Sequence, residues 1–77
     1  MEQKIKQDKI KIGENIRRIR LEKNIGQTDL AREMQLLGIG ITRETIVKIE
    51  RGIQHVAATQ LRGIRDILQT SYDELLK

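Results

Sequence analysis

The chain has no cysteine, no proline, no tryptophan and no phenylalanine, and its 77 residues hold one histidine, His55, and one aromatic ring, Tyr72. Each absence removes a class of answer. Without cysteine there is no disulfide framework, and one histidine cannot complete a zinc finger. A packed apolar core therefore has to hold the fold, and neither a metal nor a cofactor is expected. An isolated histidine, with no cysteine nucleophile and no acid pair in a recognisable pocket motif, also argues against an enzyme. The scarcity of aromatic rings argues against RNA or single strands as partners, because their bases are gripped by stacking on Phe, Tyr or Trp. No apolar run approaches the roughly 18 to 20 residues that cross a bilayer. The opening MEQKIK lacks the apolar stretch of a signal peptide, so a soluble cytoplasmic protein with no membrane partner is expected.

What is present points to one small domain, since 77 residues leave no room for a second core. The net charge of +4 has a location. Residues 1–26 carry eight Lys and Arg (Lys4, Lys6, Lys9, Lys11, Arg17, Arg18, Arg20 and Lys23) against four acids, and the remainder balances at seven against seven. A basic N-terminal third in a chain of pI near 9.8 is the footprint of a phosphate binder or, equally, a solvated surface. If the partner is a nucleic acid, the missing aromatics favour duplex DNA.

Helical periodicity runs through the chain with no alternating strand pattern, and five helices are expected in an all-α fold. The first begins near Lys9 or Lys11 and reaches Lys23, with Ile12, Ile16 and Ile19 on one face; Asn24 and Gly26 admit the turn that ends it. The second opens at Gln27 behind Gly26, carries Asp29 in its first turn, points Leu30, Ala31 and Met34 inward, and ends by about Leu37. Thr42 caps the third, whose inner residues include Ile46 and Ile49, and Gly52 closes it. Leu61, Ile64, Ile67 and Leu68 form the buried stripe of the fourth. The sequence SYDE at 71–74 is a capping box that starts a short fifth helix holding Leu75 and Leu76.

Projected at about 100° per residue with Ile46 toward the core, Thr42, Ile49, Glu50 and Ile53 fall on the inner side of the third helix. Glu44, Lys48 and Arg51 point outward, with Arg43 and Val47 on the flanks. Arg and Lys match the guanine edge, Glu accepts from cytosine N4, and Val47 can touch a thymine methyl. The plainer reading of Glu44 and Lys48 is an i, i+4 surface pair worth about 0.2–0.5 kcal/mol. Glu50 is different, because a carboxylate on the core side needs a partner. Arg20, four residues after Ile16, also projects from an apolar face, and a partly buried Arg20–Glu50 ion pair is expected as a structural feature.

These pieces together resemble the phage-repressor, Cro-like (XRE-type) helix-turn-helix family of DNA-binding domains. The likeness runs from Ile12 to Leu76 and is carried by IGENIRRIR at 12–20, Gln27 with Leu30 and Ala31, IERG at 49–52, and SYDELL at 71–76. It implies a lambda-repressor-like fold of five helices in which the second and third form the helix-turn-helix. The helix after Thr42 would then be the recognition helix in the major groove, with Arg43, Glu44, Val47 and Lys48 reading bases. Gln27, Thr28 and Arg51 would contact phosphates, Gln27 at a helix N-terminus. The same resemblance supports the Arg20–Glu50 pair.

Two stretches depart from the family pattern. Between Met34 and Thr42 the sequence is about five residues longer than the family's tight turn, and Leu36, Leu37, Ile39 or Ile41 must refill the space beneath the loop. At His55 and Val56 the family often has a polar residue followed by proline; an exposed loop or a phosphate contact from Gln54 or His55 are the two readings there. Residues 1–9 form a basic arm that either tracks the DNA backbone through Lys4, Lys6 and Lys9 or is a disordered solubilising tail, and residues 10–77 form the DNA-binding domain.

The function expected is sequence-specific binding to double-stranded DNA by a transcriptional regulator, a repressor that occupies a promoter as a homodimer. Two recognition helices would then meet successive major grooves about 34 Å apart. Tyr72, Leu75 and Leu76 are interface candidates, or the leucines simply close the core. The alternative is a protein-interaction module, an antitoxin or anti-repressor, whose helical surface binds a protein partner.

Overall fold

Seven elements follow one another along the residues that the computed structural model describes, 4–5 and 11–77. They are β1 (Lys4–Ile5), α1 (Ile12–Glu22), α2 (Gln27–Leu36), α3 (Arg43–Glu50), β2 (Val56–Ala57), α4 (Ala58–Leu68) and α5 (Tyr72–Leu76). The five expected helices are present, and α1 starts at Ile12 rather than at Lys9 or Lys11. A feature that periodicity did not announce is the antiparallel pairing of β1 with β2, which sets Lys4 opposite Ala57 and Ile5 opposite Val56. Lys4 and Ile5 belong to the expected arm; Lys6 and Lys9, and with them the two readings of that arm, lie outside the described residues.

The helix ends follow from local chemistry. Asn24 takes a left-handed conformation (φ 58°), which asparagine tolerates better than other non-glycine residues, and turns the chain out of α1. Extended Gly26 then opens α2. Thr42 caps α3 by accepting a 3.2 Å hydrogen bond from the Thr45 amide, and Ser71 caps α5 in the same way from Glu74. Gly52 (φ 76°) reverses the chain after α3. At α4 only half of a capping box forms: Gln60 reaches back to accept from the Ala57 amide at 2.9 Å, while Ala57 has no side-chain oxygen to return the bond.

The lengthened connection between α2 and α3 is held from both sides. Gly38 (φ 82°) redirects the chain, and its amide donates back to the Gln35 carbonyl. The Gln35 side-chain amide then donates forward to the Ile41 carbonyl at 2.8 Å. Of the four residues proposed to fill the space beneath, Ile41 is buried and Ile39 packs against the core, whereas Leu36 and Leu37 stand 75% and 57% exposed. The connection thus supplies the core with Ile39 and Ile41 and leaves Leu37 in solvent beside Leu36, the last residue of α2.

The core is aliphatic. Ile12, Ile16 and Ile19 of α1 meet Leu30, Ala31 and Met34 of α2, Ile46 and Ile49 of α3, and Leu61, Ile64 and Leu68 of α4, with Ile41, Val56 and Leu75 completing it. Ile67, read as part of the fourth helix's stripe, lies at its edge. α1 and α3 approach so closely that a Cβ on Gly13 would strike the Ile49 carbonyl oxygen. α5 is tied to α1 through Asn15, whose side-chain amide donates to the carbonyls of Leu75 and Lys77 at 2.9 and 3.0 Å. Full burial makes Leu75 a core residue and removes it from the interface candidates, while Tyr72 remains exposed and Leu76 half-buried. One projection fails: Ile53, expected on the inner side, is 65% exposed. The helix ends at Glu50 and Gly52 turns the chain, so helical spacing no longer applies there.

Candidate nucleic-acid interface

α3 is the element around which the site is built. Its inner face buries Ile46, Ile49 and Glu50, and this fixes the direction of everything else on it. Arg43, Glu44 and Lys48 are exposed, and Val47 is half-buried beside them. Glu44 and Lys48 approach to 3.8 Å, the plain surface pair allowed for in the sequence; at this separation and exposure it is worth little and holds neither side chain firmly. The outward face therefore presents a guanidinium, an ammonium, a carboxylate and an isopropyl group within two helical turns.

The inner end of α3 is locked to the rest of the fold by charge. Arg20 Nε donates to Glu50 Oε2 at 2.7 Å and Arg20 Nη2 to Oε1 at 3.0 Å, a two-pronged pair in which the side chains are 8% and 2% exposed. Arg20 Nη1 donates in addition to the Ile25 carbonyl at 2.9 Å, which ties the turn before α2 into the same cluster. The projection from two apolar faces thus brings Arg20 and Glu50 into contact across thirty residues.

The three residues assigned to phosphates are placed as follows. Thr28 is exposed in the first turn of α2, and Arg51 is exposed at the C-terminal end of α3. Gln27, half-buried at the first position of α2, donates from Nε2 to Glu50 Oε1 at 3.1 Å. Sequence reasoning missed this bond, although the signal was available: a core-facing carboxylate at the end of α3 needs several donors, and the helix-turn-helix sets the start of α2 beside it. No side chain caps the N-terminus of α2, so the amides of its first turn remain open for an acceptor. Asp29 in that turn is engaged by Arg32 at 2.9 Å.

Away from this face, Arg65 stacks over the Tyr72 ring, 4.5 Å from its centroid. Arg65 also donates to Asp66 Oδ1 from Nε at 3.0 Å and from Nη2 at 2.8 Å, and acceptance by that carboxylate pushes the Arg65 pKa up. Among the described residues there is no cluster of three metal-ligating side chains, and no helix is long and apolar enough to cross a membrane.

A chain with this α2–turn–α3 arrangement and an outward polar face on α3 is a DNA-binding domain by class. It belongs to the helix-turn-helix family of the Cro-like type, whose family model matches residues 16–75. That membership makes it a DNA-binding transcriptional regulator. Among solved structures it is similar to the restriction-modification controller protein C.AhdI from Aeromonas hydrophila, at 25% identity and a TM-score of 0.74, over 87% of this chain and 94% of that one. No curated protein sequence matches the chain.

Proposed function

We propose that the chain is a sequence-specific repressor that binds double-stranded DNA as a homodimer and acts by occupying a promoter. The observation that carries this is the two-sided character of α3: Glu50, Ile46 and Ile49 fix it rigidly from within, and Arg43, Glu44, Val47 and Lys48 are left outward. A helix held in this way presents donors to guanine, an acceptor to cytosine and an apolar contact to thymine at a fixed spacing. Thr28, Arg51 and Gln27 flank that face and serve the phosphates, which set register rather than sequence. The likeness to a controller protein supports transcriptional control as the outcome of binding. In the dimer the half-exposed Tyr72 and Leu76 of α5 are the contact residues, and the two copies of α3 lie about 34 Å apart on a near-palindromic site.

A protein-interaction module, an antitoxin or anti-repressor, is the second reading, and the exposed Leu36 and Leu37 favour it. One experiment separates the two. Binding to a random duplex library is measured across a salt series for the wild type and for Arg43→Ala/Lys48→Ala, with protein mass determined in the same buffer. Enrichment of a palindromic site by a dimer, lost in the double variant while its helical content is unchanged, is the expected result. Binding without sequence preference, or equal binding by both proteins, overturns the base-reading role of α3 and leaves the protein partner as the function.

A further inference from the structure

The bond from Gln27 to Glu50 joins a surface residue of the DNA-facing side to a carboxylate sealed in the core. Glu50 already receives two N–H groups from Arg20, and both charged side chains are almost wholly buried, so its oxygens are fixed points. Their charge is neutralised by the guanidinium and does not repel a nearby phosphate. A primary amide has two N–H bonds in one plane, diverging by about 120°. Gln27 uses one of them on Glu50 Oε1, which sets the direction of the other. An untethered glutamine at the start of α2 would have several rotamers to lose on meeting a ligand; this one has lost them in the free protein.

We infer that Glu50 is a positioning residue for DNA binding: through its buried carboxylate it holds Gln27 so that the second amide N–H meets a phosphate oxygen of the duplex. The inference rests on the DNA-binding reading above and adds to it a function for a residue whose sequence position marked it as purely structural. Because Gln27 is uncharged, its contact releases no counterion. Loss of the contact lowers affinity by the same factor at every salt concentration, unlike loss of a cation such as Arg51.

The test is a double-mutant cycle in duplex binding with Gln27→Met and Glu50→Gln. The first substitution keeps side-chain length without donors. The second keeps shape while turning one acceptor atom into a donor and removing the charge. Whichever way the new amide faces, at least one of the three bonds that Arg20 and Gln27 donate to Glu50 is lost, and a neutral acceptor holds the others less firmly. Gln27→Met is expected to weaken binding about tenfold with an unchanged salt slope. Glu50→Gln is expected to weaken it several-fold in the wild-type background and by less than about twofold in the Gln27→Met background. Equal losses in both backgrounds overturn the inference, because a purely structural Glu50 acts regardless of residue 27. If Glu50→Gln fails to fold, the side-chain amide protons of Gln27 in the ¹⁵N-labelled wild type decide. One is expected to show a hydrogen-bonded shift in the free protein, and the other to move when DNA is added. If neither moves while the Arg43 and Lys48 side-chain signals do, the positioning role is wrong and the DNA reading stands. If none of the three responds, the DNA reading itself has failed and the inference falls with it.

Discussion

Arg20 has five N–H donors, and three of them are directed at Glu50 Oε1, Glu50 Oε2 and the Ile25 carbonyl. Removing one partner of so buried a pair leaves an uncompensated charge, so Glu50→Ala is expected to lower unfolding free energy by about 3–5 kcal/mol in urea titration. Replacing both partners by methionine is expected to cost much less, since neither charge is then stranded. A loss from the double replacement as large as that from Glu50→Ala would show that packing, rather than charge, dominates at this point. Ala57 offers the opposite case. It begins α4 without a side-chain acceptor, although Gln60 already reaches back to it. Ala57→Ser is therefore expected to raise stability by about 0.5–1 kcal/mol, seen as a shift in the urea midpoint with an unchanged slope. In DNA binding, Arg51→Gln is expected to reduce the slope of log K against log salt by about one, if Arg51 neutralises a phosphate.

Two glycines sit inside helices, and their neighbours give them opposite roles. A Cβ on Gly13 would meet the backbone oxygen of Ile49 and, at 2.9 Å, that of Glu50, which neither helix can withdraw without moving as a whole. A Cβ on Gly63 would strike the tip of the Ile39 side chain, which rotates, and would reach the Met34 methyl at an ordinary contact distance of 3.6 Å. Gly13→Ala is accordingly expected to destabilise by about 1–3 kcal/mol. In Gly63→Ala the helix gain of about 0.5–1 kcal/mol offsets the crowding, and the thermal midpoint should stay within a few degrees. The same contrast explains what the sequence disclosed. Helices, caps and the inward direction of Ile46, Ile49 and Glu50 were legible because 3.6-residue periodicity is a local property. Likewise the outward placement of Arg43, Glu44 and Lys48 was fixed once the inner face was known. The β1–β2 pairing was not legible, since two residues are too few to show alternation and the partners are some fifty positions apart. The path from Leu37 to Ile41 depends on the Gln35 clamp, and the Gln27–Glu50 bond on the meeting of two helix ends; both are products of tertiary placement. Ile53 was misplaced because a helical projection was carried past the glycine that ends the helix.

At the scale of the molecule, the basic charge and the base-reading face are expected to act separately. Screening by salt should weaken all duplexes together, whereas Arg43→Ala and Lys48→Ala should flatten preference among them. The dimer is proposed through α5, so Tyr72→Ala should reduce mass at a given concentration before it reduces helical content. Tyr72 carries one further consequence. The core contains no ring, and the chain's single chromophore near 280 nm lies at the α4–α5 corner under Arg65. Tyrosine emission is therefore blind to the packing of Ile12, Met34 and Leu68 and watches only that corner, while far-ultraviolet dichroism watches all the helices. Coincident urea curves from the two signals would mean that the corner melts together with the core as one cooperative unit. An emission change at lower urea would mean that α5 detaches first from a still-folded helix-turn-helix.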